Sequence, residues 1–437
     1  MAPVLDQASP PQGLWAATGL AARPAEAARS DISTEVAIIG GGFCGLSAAL
    51  HLAERGIEAT VLEAEAAGWG ASGRNGGQVI AGLKLDPREM VAKFGREQGQ
   101  ALHRFGAATA DLVFSIVERF QIRCEAHRDG WIQAARSEPV LAAIQARAAD
   151  LAHQGEAVEL IGAEQIADLT GTRFFAGGML DRRSGTVQPL SYARGLAAGA
   201  VATGARLVHG CRVTGLAREG GRWRLETSGP KANGPTVRAR HVLIATNAYL
   251  GDLYPVLKTA MIVVESIQIA TEPLSAALDR AVLPSRLPVS DLMDLGVYFR
   301  RDDAGRFVIG GSGSLTGRTS PALFTALARS AGVLYPALRP EHFTSRWGGK
   351  LTLTPDHLPR LVSPEPGLHV AYGCNGRGVA LMTMMGKLAA ARIAGDVSDD
   401  LPIATLPPAR YPLHTLRLPV MMAVRRVRRL RRTFARG

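Results

Sequence analysis

The chain carries only four cysteines in 437 residues, Cys44, Cys124, Cys211 and Cys374. No two are spaced C-x-x-C, which argues against a disulfide scaffold and a structural zinc site, and fits small buried residues in a reducing cytoplasm. Ten histidines are scattered without H-E-x-x-H or ligand spacing, so no metal centre is expected. No apolar run approaches the roughly 18 residues of a spanning helix. The opening MAPVLDQASPPQGLWAATG lacks the basic start and apolar stretch of a secretory signal. A cytoplasmic protein is expected, and any membrane contact would be peripheral.

Positive charge is plentiful but local. The net charge is +12, and seven arginines between Arg425 and Arg436 account for more than half of it, leaving +5 for the rest. The basicity therefore belongs to the tail and gives no reason to expect nucleic-acid binding by the body. A content of 47% hydrophobic and 20% charged residues is that of a folded chain, and 437 residues exceed one simple core, so two domains are expected.

The chain is organised around residues 35–78. Val36 to Ile39 reads as a buried parallel strand, and Gly40, Gly42 and Gly45 then form G-x-G-x-x-G. The first glycine permits a tight turn, the second lets backbone approach a pyrophosphate, and the third lets the helix pack close to the strand. The phosphates would sit at the helix N-terminus. A second strand, Ala59 to Leu62, ends at Glu63, whose carboxylate can take both ribose hydroxyls and would repel a 2′-phosphate. A bare turn that binds nothing explains the glycines but not the acid.

Directly after that acid comes GWGASGRNGGQ, Gly68 to Gln78, where a plain NAD domain would begin its next helix. With this segment the chain resembles the FAD-dependent oxidoreductases of the D-amino-acid oxidase superfamily, and more narrowly the gamma-glutamylputrescine oxidase group. The resemblance extends from about Trp15, in a leader expected to pack on the body, to Gly395. It implies an α/β fold: a Rossmann-like, three-layer FAD-binding domain of glutathione-reductase type, interleaved with an α+β substrate domain on a mostly antiparallel sheet. The expected division is a leader (1–32), FAD-binding segments (33–86, 161–255, 345–400), substrate-domain segments (87–160, 256–344) and a basic tail (401–437).

The resemblance also implies the cofactor contacts. They come from Gly40, Gly42, Phe43, Cys44 and Gly45, from Glu63 and Ala64, and from Ala71, Ser72, Arg74, Asn75, Gly76, Gly77 and Gln78. Further along they come from Val213, Thr246 and Asn247, and from Gly376, Arg377, Gly378, Val379 and Ala380. Arg74, Asn75 and Gln78 are expected to donate hydrogen bonds. The helix starting near Val379 would stabilise charge on the ring edge. Relatives of the monomeric sarcosine oxidase type attach the flavin to a cysteine a few residues before a TPD-like turn. Here TPD is Thr354 to Asp356, the matching place is near Gly349, and no cysteine lies close to it, so noncovalent FAD is implied.

Secondary-structure patterning fills the intervals. Helices are expected from Pro87, over Asp111–Phe120, Val140–Leu151, Ser191–Thr203 and Pro321–Leu334, and strands at Trp131–Ala134, Ala205–Val208, Met261–Ala270, Val297–Arg300 and Phe307–Ile309. Val237–Ala239 reads as half of a hairpin with Arg222–Thr227, and His241–Thr246 as a separate strand. The nucleotide fold should resume near Gly177.

Amine oxidation by a flavin needs a neutral amine whose C–H faces the ring and no obligatory acid–base pair. Cation recognition would use aromatic faces and one carboxylate, which makes Trp347, Tyr298 and Glu265 the candidate catalytic residues, with Phe299 beside them. Ordinary core packing explains the aromatics equally well. Arg300 and Arg346 could meet a substrate carboxylate. The expected activity is oxidation of a C–N bond to an imine that hydrolyses, with oxygen as acceptor. The alternatives are an amino-acid dehydrogenase serving a carrier, and a peripheral membrane or interaction protein using the fold as scaffold.

In the tail, Val420, Met421, Val424, Val427, Leu430 and Phe434 alternate with arginines near helical spacing. Such a helix can lie on an anionic membrane, each arginine contributing on the order of 1 kcal/mol, or dock on the body with its arginines in water. Deleting residues 425–437 separates the two. If the tail is a membrane anchor, salt-sensitive liposome binding disappears while thermal stability is unchanged.

Overall fold

The structure, a computed structural model, describes residues 13–22, 26–27, 30–228, 234–291, 293–314, 319–396, 401–408 and 411. The tail expectation lies outside the described residues.

Two large sheets organise the chain. In the first, Ile32–Ile39 is central, with Ala59–Leu62 parallel on one side and Val237–Ile244 parallel on the other. Arg206–His209 adds a further parallel strand beyond Ala59–Leu62. Val36, Ala37 and Ile38 are inaccessible to solvent, which is why this strand is a continuous apolar run instead of an alternating one. Its helix-covered face carries Phe43–Ala53, Pro189–Ala202 and Gly378–Ala394. Small residues let two of these helices approach closely: a side chain at Gly386 would collide with the Cys44 carbonyl, and Ser47 Oγ donates to the Thr383 carbonyl at 2.7 Å. The opposite face is closed by an apolar cluster that includes Trp223, Leu225, Met261 and Tyr372.

The expected pair Val237–Ala239 and His241–Thr246 is one strand, Val237–Ile244. Its first half pairs antiparallel with Arg222–Ser228 and its second half parallel with Leu368–Tyr372. The change from VRAR to HVLI marks a change of partner on one edge, not a turn.

The second sheet runs in the order Phe343–Leu353, Ile262–Pro273, Arg306–Ser312, Val297–Arg301, Val289–Asp291, Trp131–Ala135, Gly177–Asp181, Val158–Gly162. All pairings are antiparallel except that of Val289–Asp291 with Trp131–Ala135. One face packs on Pro321–Leu334 through a core containing Phe175, Phe299, Phe307 and Tyr335, while the other is turned toward the first sheet's glycine turn. Two strands sit across the expected boundaries. Gly177–Asp181 pairs with Trp131–Ala135 and Val158–Gly162, and Phe343–Leu353 pairs along its length with Ile262–Pro273. Short apolar strands read alike in either sheet, so only the ladder assigns them. The chain crosses between the sheets repeatedly, as expected of interleaved domains.

Candidate active site

A cavity of about 1020 Å³ lies between the sheets, at the upper end of the range for ligand pockets. Its floor is the glycine turn. Gly40 adopts φ +106°, open to glycine alone, and a side chain at Gly45 would strike the Gly40 carbonyl, so Gly45 packs the helix and does not line the cavity. The Glu63 carboxylate is pinned across the turn: Oε2 accepts the Gly41 N–H at 2.6 Å and Oε1 the Glu65 N–H at 2.9 Å. Burial pushes its pKa up, and these two N–H bonds oppose that rise. Ser72 Oγ accepts the Phe43 N–H at the helix start, at 2.9 Å. A Cβ on Gly42 would come within 2.8 Å of that hydroxyl.

Most of the other expected cofactor residues also reach the cavity: Ala64, Ala71, Arg74, Asn75, Gly76, Gln78, Val213, Thr246, Asn247, Gly376, Arg377, Gly378 and Val379. Two do not. Gly77 lies against the Val187 carbonyl, and Ala380 is fully buried two residues beyond the start of the Gly378–Ala394 helix. The amides expected to donate are largely spent within the protein. Asn75 Nδ2 donates to the Ser72 carbonyl at 2.8 Å and its Oδ1 accepts from Gly77. Gln78 Nε2 donates to the Val289 and Phe299 carbonyls, and its Oε1 accepts from Ser290. Gln78 thus ties the loop to the second sheet and Asn75 braces the loop on itself, so the polar atoms that these side chains bring to the cavity wall are already engaged. Asn247 works in the same way: at φ +46°, its Oδ1 accepts from Thr352 and from the Gly373 N–H.

Of the three candidate catalytic residues, Tyr298 and Glu265 line the cavity and Trp347 does not. Tyr298 Oη lies 2.9 Å from Ser266 Oγ, and enclosure pushes its phenol up to about 12, so it stays neutral near physiological pH. Glu265 Oε2 accepts from the Ser314 N–H and the Thr319 hydroxyl. Trp347 is 1% exposed, with Trp15 packed edge-on at 5.7 Å and its own Nε1 donating to the Arg74 carbonyl at 3.1 Å. The Arg74–Gly76 loop and the N-terminal segment cover the face expected to be open, which removes Trp347 from the candidate catalytic set. Phe299 points to the opposite side of its strand, into the core. Arg300 is buried and donates to the Val187 carbonyl, and Arg346 is exposed on the outside.

Sequence reasoning missed several wall residues, among them Lys84, Trp131, Gln133, Tyr249 and Gln268. For Trp131 and Gln133, and for Gln268, alternation along a strand is the signal that could have found them; Lys84 and Tyr249 lie off the strands and carry no such signal. The walls fit a polar aromatic cofactor. Arg74 Nη2, Thr246 Oγ1 and Gln268 Oε1 are sealed from solvent without a partner among the described residues, and Gly376, at φ +78°, has nothing within 4 Å of where a Cβ would stand.

A glycine turn at the carboxyl end of a parallel sheet, an acid closing the next strand and a second sheet roofing the cavity define a dinucleotide-dependent oxidoreductase scaffold. Residues 35–392 match the family of FAD dependent oxidoreductases, and the chain belongs to that family. FAD is accordingly its cofactor. The chain is 29% identical to gamma-glutamylputrescine oxidoreductase of Escherichia coli (strain K12), over 93% of this chain and 94% of that protein. It is also 29% identical to a probable oxidoreductase, OrdL, of Haemophilus influenzae, over 83% of each. Among solved structures, glycine oxidase from Geobacillus kaustophilus superposes with a TM-score of 0.72 at 22% identity, covering 87% of this chain and all of that one, which supports the fold. No helix among the described residues is long and apolar enough to cross a membrane.

The brace behind the loop is open to test. Trp15 Nε1 donates to the Asn75 carbonyl at 2.8 Å. Trp15→Phe keeps most of the ring but leaves that carbonyl unpaired, at an expected cost of about 1–3 kcal/mol. Trp15→Ala also opens a cavity and should cost about 3–5 kcal/mol. Denaturant unfolding of the FAD-loaded protein measures both, and equal stability of all three proteins would show the brace to be idle.

Proposed function

We propose that the protein oxidises a carbon–nitrogen bond of an amine or amino-acid derivative, with noncovalent FAD and with oxygen as electron acceptor. The observation that carries the reading is one cavity that joins the glycine turn and Glu63 to the Ser266, Gln268 and Tyr298 face of the second sheet. Bound FAD supplies a two-electron acceptor that no amino-acid side chain offers. On this reading Glu63 receives the ribose hydroxyls, the Gly40–Phe43 turn the pyrophosphate, and the loop from Gly376 to Val379 the ring edge. Arg74 Nη2, Thr246 Oγ1 and Gln268 Oε1 find their missing partners on the cofactor.

The substrate amine would lie under Tyr298, which closes on Gly76: a Cβ there would stand 2.6 Å from the Tyr298 ring. A neutral phenol and hydroxyl can orient an uncharged amine without trapping it as an ammonium ion. The relatives named above, one for gamma-glutamylputrescine and one for glycine, support this substrate class. The thiols support noncovalent attachment. Gly349 has no sulfur to offer, Cys374 Sγ faces the Thr352 carbonyl at 3.8 Å, and burial pushes Cys44 up to about 12, leaving a protonated, poorly nucleophilic group.

Two outcomes are expected. Anaerobic addition of a suitable amine should bleach the absorbance band of oxidised flavin, and air should restore it with release of peroxide. Acid precipitation should leave the yellow colour in the supernatant. A protein that binds FAD but is reduced by no amine or amino acid would overturn the assignment.

A third outcome concerns Glu63. Hydrogen bonds from ribose favour its charged form, whereas burial has raised its pKa above the ordinary carboxylate value. FAD affinity should therefore be full above the raised pKa and fall as pH drops through it. Glu63→Gln should flatten that dependence, and Glu63→Ala should weaken binding by about 1–3 kcal/mol. Flavin fluorescence titrations across the acid range provide the measurement.

A further inference from the structure

Part of the cavity wall carries positive charge that the protein leaves unpaired. Lys84, on the loop before the Pro87–Phe94 helix, and Arg377, before the Gly378–Ala394 helix, line the cavity together with Trp131 and Gln133. Arg377 is 8% exposed and fixed in place: Nη1 donates to the Ala81 carbonyl at 2.8 Å, and the guanidinium lies 5.9 Å from the centre of the Trp131 ring. Neither cation has a carboxylate partner among the described residues. The nearby acids are already engaged, Asp86 with Arg147 and Asp181 with Arg183. Arg147 also donates to the Leu83 and Lys84 carbonyls, so it braces the Lys84 loop from behind. Gln133 Oε1 is sealed from solvent and has no partner among the described residues.

Uncompensated charge beside an apolar wall is costly unless a ligand supplies the counter-charge. Burial and repulsion from neighbouring arginines push Lys84 down to about 8 and Arg377 down to about 9, a strain that an arriving anion would relieve. The rest of this wall, Ile80, Val140 and Ile144, is apolar, as suits a chain ending in an acid group.

We propose that Lys84 and Arg377 bind a carboxylate that the substrate carries at a distance from its reacting amine, with Gln133 contacting the polar atoms beside that acid. The proposal rests on the amine-oxidation reading above. Gln133 lies on Trp131–Ala135 and Tyr298 on Val297–Arg301, with the Val289–Asp291 strand between them. Two strand spacings amount to about 10 Å. An α-amino acid cannot span that distance, whereas an extended amine with a terminal acid can.

The test compares ω-aminooctanoate with n-octylamine as reductants of the FAD-loaded enzyme, alongside calorimetric titration with glutarate. The wild type should favour the acid-bearing amine by about tenfold or more in kcat/KM, as expected for charge-assisted hydrogen bonds. Lys84→Gln should remove that preference through KM and weaken glutarate binding, while Lys84→Arg should retain both. Equal use of the two amines by the wild type would overturn the subsite. So would equal losses on both amines in Lys84→Gln, or a shifted flavin potential with glutarate binding intact, which would assign the charge to the cofactor. If no amine or amino acid reduces the flavin, the oxidation reading fails, and glutarate binding that depends on Lys84 still decides the subsite.

Discussion

The backbone between Arg74 and Gly77 has to be satisfied without regular structure, and the site depends on how that is done. A loop threaded between two sheets would leave carbonyls unpaired in an apolar setting, at a cost of the order of 1–3 kcal/mol each. Here the Arg74 carbonyl accepts from Trp347 Nε1 and from Gln268 Nε2, and the Asn75 carbonyl accepts from Trp15 Nε1. The donors come from two strands of the second sheet and from the N-terminal segment. The loop therefore ties the three together, and its small residues give Tyr298 room to close over it. The N-terminal segment is held in turn by Gln188, whose Nε2 donates to the Trp15 carbonyl at 3.0 Å. Cofactor contact, sheet packing and the leader share one set of hydrogen bonds, so a change in any of them is felt at the site.

What was legible in the sequence was whatever local backbone physics compresses into few residues. Gly40, Gly42, Gly45 and Glu63 could be read because a tight turn, a close approach and a strand-end acid each need a particular residue at a particular spacing. Trp15 packs as expected. For Trp347 core packing and a cavity role were equally open, and the structure favours packing, because a strand position does not show which loop will cover that face. Phe299 and Tyr298 are adjacent and face opposite ways, so proximity in sequence was no guide to the cavity. Gln78 and Asn75 looked like ligand donors and proved to be structural ties, because a side-chain amide serves backbone as readily as cofactor. Lys84 is one cation among fifty lysines and arginines, and only the absence of a nearby partner in three dimensions distinguishes it.

Charge is distributed unevenly over the cavity wall, and this bears on which molecules can enter. Glu265, on Ile262–Pro273, and Gln133, on Trp131–Ala135, are four strands apart in the sheet order, or about 19 Å at ordinary spacing. Lys84 and Arg377 gather at the Gln133 end, while Glu265 stands at the other with its carboxylate already accepting from Ser314 and Thr319. An amine with a distant acid would thus meet cations at its acid end and a neutral phenol at its nitrogen. A short zwitterion gains neither separation, because its two charges fall within one strand spacing. On the proposed reading the sheet that roofs the site would serve as a ruler. Selectivity for length would then follow from strand order, without a dedicated lid or a catalytic acid–base pair.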